Sequence, residues 1–190
     1  MDKRLFDRQV ADVWPGTSSW WVQEAVRAYR AGRFRLILGR GDKDVYLARF
    51  WLVKPPAGEE DGAPESANSV MIHFFPRGDD DPSLHDHPWA FWTTILSGGY
   101  EEHLPPEDWT GADGLGPDWQ ARKVVRLAGD TIGHRATDLH CVGRVFPNTW
   151  SLVRTGPRVR TWGFHPPGEP WVGYAEYLTA RRAAAKAVKA

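Results

Sequence analysis

Apolar positions recur with two different periods along the chain. Val22, Val26 and Tyr29, joined by Trp21 and Ala25, fall at helical spacing and form one stripe. The spacing predicts a helix capped by Thr17 or Ser18, with Glu24 in its early turns, that runs to about Ala31 and stops at Gly32. Beyond it short apolar runs take over. Phe34 to Leu38 and Val45 to Val53 flank Gly39-Arg40-Gly41-Asp42, a hairpin signal. Further runs follow at Ser69 to Phe75, Phe91 to Leu96, Tyr100 to Leu104, Arg122 to Leu127, Thr131 to His134, Leu139 to Val145, Thr149 to Val153 and Val159 to Phe164. Lys54 to Asn68 and Pro105 to Trp119 read as loops, and the Ala-rich stretch from Tyr174 to Ala190 as a terminal helix whose basic end suits its dipole. The expected architecture is all-β, a small antiparallel barrel or sandwich at 33–170 between helical segments at 1–32 and 171–190.

Composition narrows the classes. At 190 residues, one domain over 1–190 is expected, and 42% apolar against 25% charged residues excludes a disordered chain. Lys plus Arg and Asp plus Glu stand at 24 each, so no bulk charge points to nucleic acid or an anionic membrane. Cys141 is the single cysteine, which excludes an intrachain disulfide framework and a Cys-rich zinc module. No apolar run approaches the roughly 20 residues that span a bilayer, and Met1 to Asp7 lacks a signal-peptide core, so a cytoplasmic protein is expected. The 11 tryptophans, 19 glycines and 15 prolines suit short strands joined by turns.

The chemistry gathers on histidine. In His85-Asp86-His87 the two imidazoles share one face if the segment is extended, and His140 follows near the start of a later strand. Two ligands from one strand and one from another can build a metal site. This sequence resembles the cupin superfamily, whose first motif is roughly G-x5-H-x-H-x3,4-E-x6-G and whose second is G-x5-P-x-G-x2-H-x3-N. His85, His87 and His140 take the histidine positions. A four-residue spacer puts the motif glutamate at Trp92 and the closing glycine at Gly99; a three-residue spacer puts them at Phe91 and Gly98. Gly129 opens the second motif, whereas Arg135, Thr137 and Arg144 replace its Pro, Gly and Asn, and the first motif's opening glycine is displaced to Gly78. The phrases His85-Asp86-His87-Pro88-Trp89 and Arg160-Thr161-Trp162-Gly163-Phe164 also look like a group of small bacterial and phage cupins.

The resemblance implies a cupin-type antiparallel β-barrel (double-stranded β-helix) holding a divalent metal on His85, His87 and His140 without the motif glutamate. That is similar to three-histidine cupins such as thiol dioxygenases and diketone-cleaving dioxygenases. Such a set leaves two or three open positions, for a chelating anion and dioxygen on Fe(II) or an activated water on Zn(II); Ni, Mn and Cu fit the same donors. Trp92, Phe91, Trp89, Trp162 and His73 are candidate pocket walls. Trp92 is preferred because the motif position it fills points at the metal. Arg160 alternates with Trp162 and would bind a carboxylate, on a substrate or on 2-oxoglutarate. His134 shares a strand face with Ile132 and has three readings: a fourth ligand, an inner-wall base, or a turn histidine. Glu101 and Glu102 follow Gly99 on the next strand, where one could replace the missing carboxylate, but they are expected to be solvated; His103 and His165 are expected to lie on the surface, and Cys141 to be a buried structural thiol. The leading function is an Fe(II) oxygenase acting on a small carboxylate-bearing or aromatic metabolite. An isomerase or epimerase moving a proton α to a carbonyl, and a binding module without a reaction, are the alternatives. Expected partners are a small-molecule substrate, neither nucleic acid nor membrane, with a homodimer left open.

Overall fold

A computed structural model describes residue 7 and residues 19–39, 44–53, 68–79, 83–110, 115–116 and 118–187. Helix α1 (Trp20–Arg30) follows an extended Ser19, and Gly32 turns the chain away at φ 72°. The expected caps Thr17 and Ser18 lie outside the described residues. The apolar stripe buries Val22, Ala25, Ala28 and Tyr29, with the Tyr29 ring 4.5 Å from Phe34 and 6.4 Å from Phe50.

The strands are β1 (Phe34–Leu38), β2 (Val45–Val53), β3 (Val70–Phe75), β4 (Leu84–His85), β5 (Phe91–Ser97), β6 (Gly99–Leu104), β7 (Arg122–Leu127), β8 (Thr131–His134), β9 (Cys141–Val145), β10 (Thr149–Thr155), β11 (Gly163–His165) and β12 (Val172–Gly173), followed by helix α2 (Tyr174–Ala187). They form a six-stranded sheet in the order β1-β2-β3-β10-β5-β8 and two three-stranded sheets, β12-β11-β4 and β7-β6-β9. Every pairing between these strands is antiparallel. The fold is thus the expected mostly β arrangement, antiparallel sheets with a helix before and a helix after them. The β1–β2 pair forms as the hairpin signal implies, with Phe34 opposite Phe50, although residues 40–43 lie outside the described chain, as do 54–67 of the first loop and 111–114 and 117 of the second.

One predicted strand is shortened. Val159 to Phe164 contributes only its end to β11, because the Val159 N–H turns aside to Pro88 O at 2.8 Å and Arg160 reaches into Asp86. The closing glycines of the first motif serve the β5–β6 turn. Gly98 has φ 65°, and a Cβ on Gly99 would lie 2.3 Å from Arg126 O, closer than any side chain tolerates.

Alternation in the large sheet separates two faces. Phe50, Ile72, Phe74 and Trp150 point toward α1 and form the main apolar cluster. The residues between them turn the other way: Trp51, Met71, Phe91 and Val153 form a second cluster, and Arg49, His73, Thr93, Ser151 and His134 share their face by register. β6 and β9 close over this side, where Ile95 and Ile132 meet Tyr100, Val142 and Phe75.

Candidate metal centre

Asp86 positions the two histidines that flank it. Its carboxylate is buried and accepts hydrogen bonds from the Gly163 backbone N–H at 2.7 Å and Trp171 Nε1 at 3.1 Å, and it is ion-paired with Arg160. With Asp86 anchored toward β11, the side chains of His85 and His87 both turn toward His140. The third histidine is brought in by a backbone bridge: the His85 N–H donates to His140 O at 2.9 Å and the His140 N–H to His85 O at 3.1 Å. The rings then converge, with centroids 5.1 Å apart for His85–His87 and His85–His140 and 5.0 Å for His87–His140. One ring nitrogen from each lies within 4.8 Å of the others.

The protonation states suit ligation. Burial, then the charges of His140 and His85, pushes the His87 pKa well below its ordinary value. Burial also lowers His140, against a hydrogen bond to Glu102 that works the other way. Both rings are therefore neutral near pH 7 and carry a lone pair. His140 Nδ1 donates to Glu102 Oε1 at 2.8 Å, which leaves the lone pair on Nε2, the atom 2.9 Å from His87 Nε2. Two nitrogens bound to one metal at about 2.1 Å and at right angles stand about 3 Å apart, so this donor set fits a divalent ion. A carboxylate on the far nitrogen of a ligating histidine also fixes the tautomer and raises its basicity.

Glu102, which the sequence offers as a replacement for the missing carboxylate but favours as solvated, sits against His140 and His134. It is expected in solvent and is instead wholly buried. Arg126 grips Oε2 through Nε at 2.8 Å and Nη2 at 2.7 Å, and His134 Nε2 lies 3.0 Å from Oε1, off the axis of a straight hydrogen bond. Burial alone would raise its pKa, but the contacts from His134 and His140 outweigh it and hold the group well below the usual carboxylate range. The signal was present, since Glu102 shares a strand face with the apolar Tyr100. Glu101, on the opposite face, pairs with His103 at 2.7 Å and Lys123 at 3.2 Å, nearer to expectation. His134 reaches the centre by way of this carboxylate, its ring 4.5 Å from His140.

Phe91 faces the histidines, 4.6 Å from His87, 4.7 Å from His134 and 5.7 Å from His140. The three-residue spacer is therefore the one the fold uses, and an apolar ring stands where the motif has a carboxylate. Trp92, preferred as the wall residue, is turned outward by strand alternation; it is 53% exposed and lies over Gly133 across the β5–β8 pair. Arg160, expected to bind a carboxylate, is ion-paired with that of Asp86, and the same guanidinium donates to Ala136 O at 3.2 Å. Trp162 stands at the edge of the cluster, 6.2 Å from His85 and 6.4 Å from His87, and stacks on Tyr174 at 4.2 Å. Trp89 packs beside Trp51, Met71, Phe91 and Val153, and His73 lies on the same interior face. His165 is half-buried against Trp109, not on the surface. Cys141 is buried as expected.

No protein-family model matches the chain, and no curated protein matches it. Among solved structures it is similar to hydroxypropylphosphonic acid epoxidase from S. wedmorenis, at 11% identity and TM-score 0.41, over 66% of this chain and 56% of that one. It is similar to a recombinant oxalate oxidase in complex with glycolate, at 17% identity and TM-score 0.38, over 51% of this chain and 45% of the oxidase. A putative mannose-6-phosphate isomerase from Ralstonia eutropha JMP134 matches at 17% identity and TM-score 0.37, over 64% of this chain and 91% of its own. The chain thus spans about half the length of the epoxidase and the oxidase it matches. Among the described residues, no helix is long and apolar enough to cross a membrane.

Proposed function

We propose that the protein is a metal-dependent enzyme in which His85, His87 and His140 hold Fe(II), and that it oxygenates a small carboxylate-bearing or aromatic metabolite. The observation that carries the reading is the convergence of three imidazoles beside Phe91, a side chain that cannot ligate. Iron on such a set supplies vacant positions for a chelating anion and dioxygen. The remaining work falls to the chain. Glu102, itself neutralised by Arg126, keeps His140 in the ligating tautomer. Phe91 and Trp162 exclude water from two sides, and Asp86 fixes the spacing of His85 and His87. The test has two steps. Elemental analysis of untagged protein should find one iron per chain, removed by His140→Ala. The Fe(II) protein exposed to nitric oxide should then give the spin signal of a high-spin iron–nitrosyl. Zinc in place of iron would redirect the reading to hydrolysis or isomerisation, and no metal at all would make the protein a binding module.

A further inference from the structure

The interior face carries a polar row that the metal centre does not use. Arg49, His73 and Ser151 are direct cross-strand neighbours, Arg49 opposite His73 on β2–β3 and His73 opposite Ser151 on β3–β10. Cross-strand partners share a face with Cβ atoms roughly 5 Å apart, so the three side chains stand side by side. Apolar side chains bound the row, Trp51, Met71 and Val153 along one edge, Phe75 along the other, and Ile95 directly opposite Ser151 at its β5 end. Ser151 is fully buried and His73 is 8% exposed, yet neither Ser151 Oγ nor His73 Nε2 has a hydrogen-bond partner. Buried hydroxyl and imidazole groups rarely stay unsatisfied, and two adjacent ones call for a polar occupant between them. Arg49 brings a permanent positive charge to the same place, and its field is felt at His73 and, across the interior, at His87 of the triad.

We infer that Arg49, His73 and Ser151 form the anchor for the anionic end of the substrate, a small organic carboxylate whose other end lies toward His85, His87 and His140. This rests on the metal-enzyme reading for the far end of the ligand, but the anchor itself needs no metal. The chemistry is complementary: a carboxylate is an acceptor only, the guanidinium and the serine hydroxyl donate, and neutral His73 donates through Nε2 in one tautomer. The lone arginine in the otherwise apolar run Val45 to Val53, apart from Tyr46, is the sequence trace of the same feature.

The test is calorimetric titration of succinate and of inorganic phosphate into metal-free and metal-loaded protein. Succinate should bind the metal-free protein, and Arg49→Gln should weaken that binding by about tenfold or more, as loss of a charged hydrogen-bond donor does. Arg49→Lys, which keeps the charge but not the fork, should fall between, and Ser151→Ala should cost several-fold. Metal content should be unchanged in all three variants. Succinate affinity unaltered in Arg49→Gln and Ser151→Ala, with folding checked by circular dichroism, would overturn the anchor and leave water as the occupant. Phosphate binding tighter than succinate would overturn the carboxylate assignment. Absence of metal from the wild type with the succinate result intact would defeat the enzyme reading and leave the anchor standing.

Discussion

The two faces of the six-stranded sheet are built from the same strands and differ only in which alternate residues they show. The face under α1 is dry: Phe50, Ile72, Phe74 and Trp150 pack on Val22, Ala25 and Tyr29. The other face mixes apolar layers with Arg49, His73, Ser151, Thr93 and His134. One face stores the stability, and the other accepts polar burial that an apolar set would avoid.

The dry face should suffer most from a single truncation. Trp150 is fully buried, with Phe74 at 4.6 Å and Phe50 at 6.3 Å, so Trp150→Ala should cost about 3–5 kcal/mol in denaturant unfolding. The metal affinity of the folded fraction should be unchanged. Glu102→Gln should do the reverse on the interior side. It keeps the shape but removes the charge that fixes His140 and balances Arg126, so metal affinity measured by chelator competition should drop by about 10–100-fold. A metal loss no greater than that of a surface variant would remove Glu102 from the centre.

The dry face was the more legible one. Helical spacing in Val22 to Tyr29 and strand runs in Val45 to Val53 and Ser69 to Phe75 contain all that is needed to place it, because burial of apolar residues is a local pattern repeated many times. The histidines of the centre were legible too, by motif resemblance. What failed were single choices of direction. Trp92 against Phe91 turns on one residue of spacer length, and a shift of one residue in a strand reverses the face. Glu102 reads as solvated because its partner is not visible in the sequence, and Arg160 is open to any carboxylate until Asp86 is seen beside it. The partners Arg126 and Asp86 lie 24 and 74 residues away.

His73 tests the interior face at intermediate size. Burial, then Arg49, lowers its pKa well below the ordinary 6.5. In acid the unfolded chain takes up a proton that folded His73 refuses, so its contribution is intact above about pH 6.5 and is lost as the pH falls below it, by at most about 1.4 kcal/mol per pH unit. The neutral His73→Gln variant should show a shallower loss of stability between about pH 6.5 and 5 than the wild type, by chemical denaturation at each pH. An identical slope would mean that His73 is protonated in the fold.

The mildest change falls on the neighbours Phe91 and Trp92, and it asks whether alternation has been assigned correctly at the centre itself. Trp92 is exposed and covers Gly133, a cross-strand contact worth about 0.2–1 kcal/mol. Trp92→Glu should therefore lower stability by no more than that and leave metal content and the nitrosyl signal as in the wild type, since the new carboxylate points to water. Phe91→Glu places the same group among His87, His134 and His140, where a ligating carboxylate would fill one of the open positions and weaken the nitrosyl signal. The pair shares chemistry and differs by one residue in the strand, so a response from Trp92→Glu and none from Phe91→Glu would reverse the faces of β5.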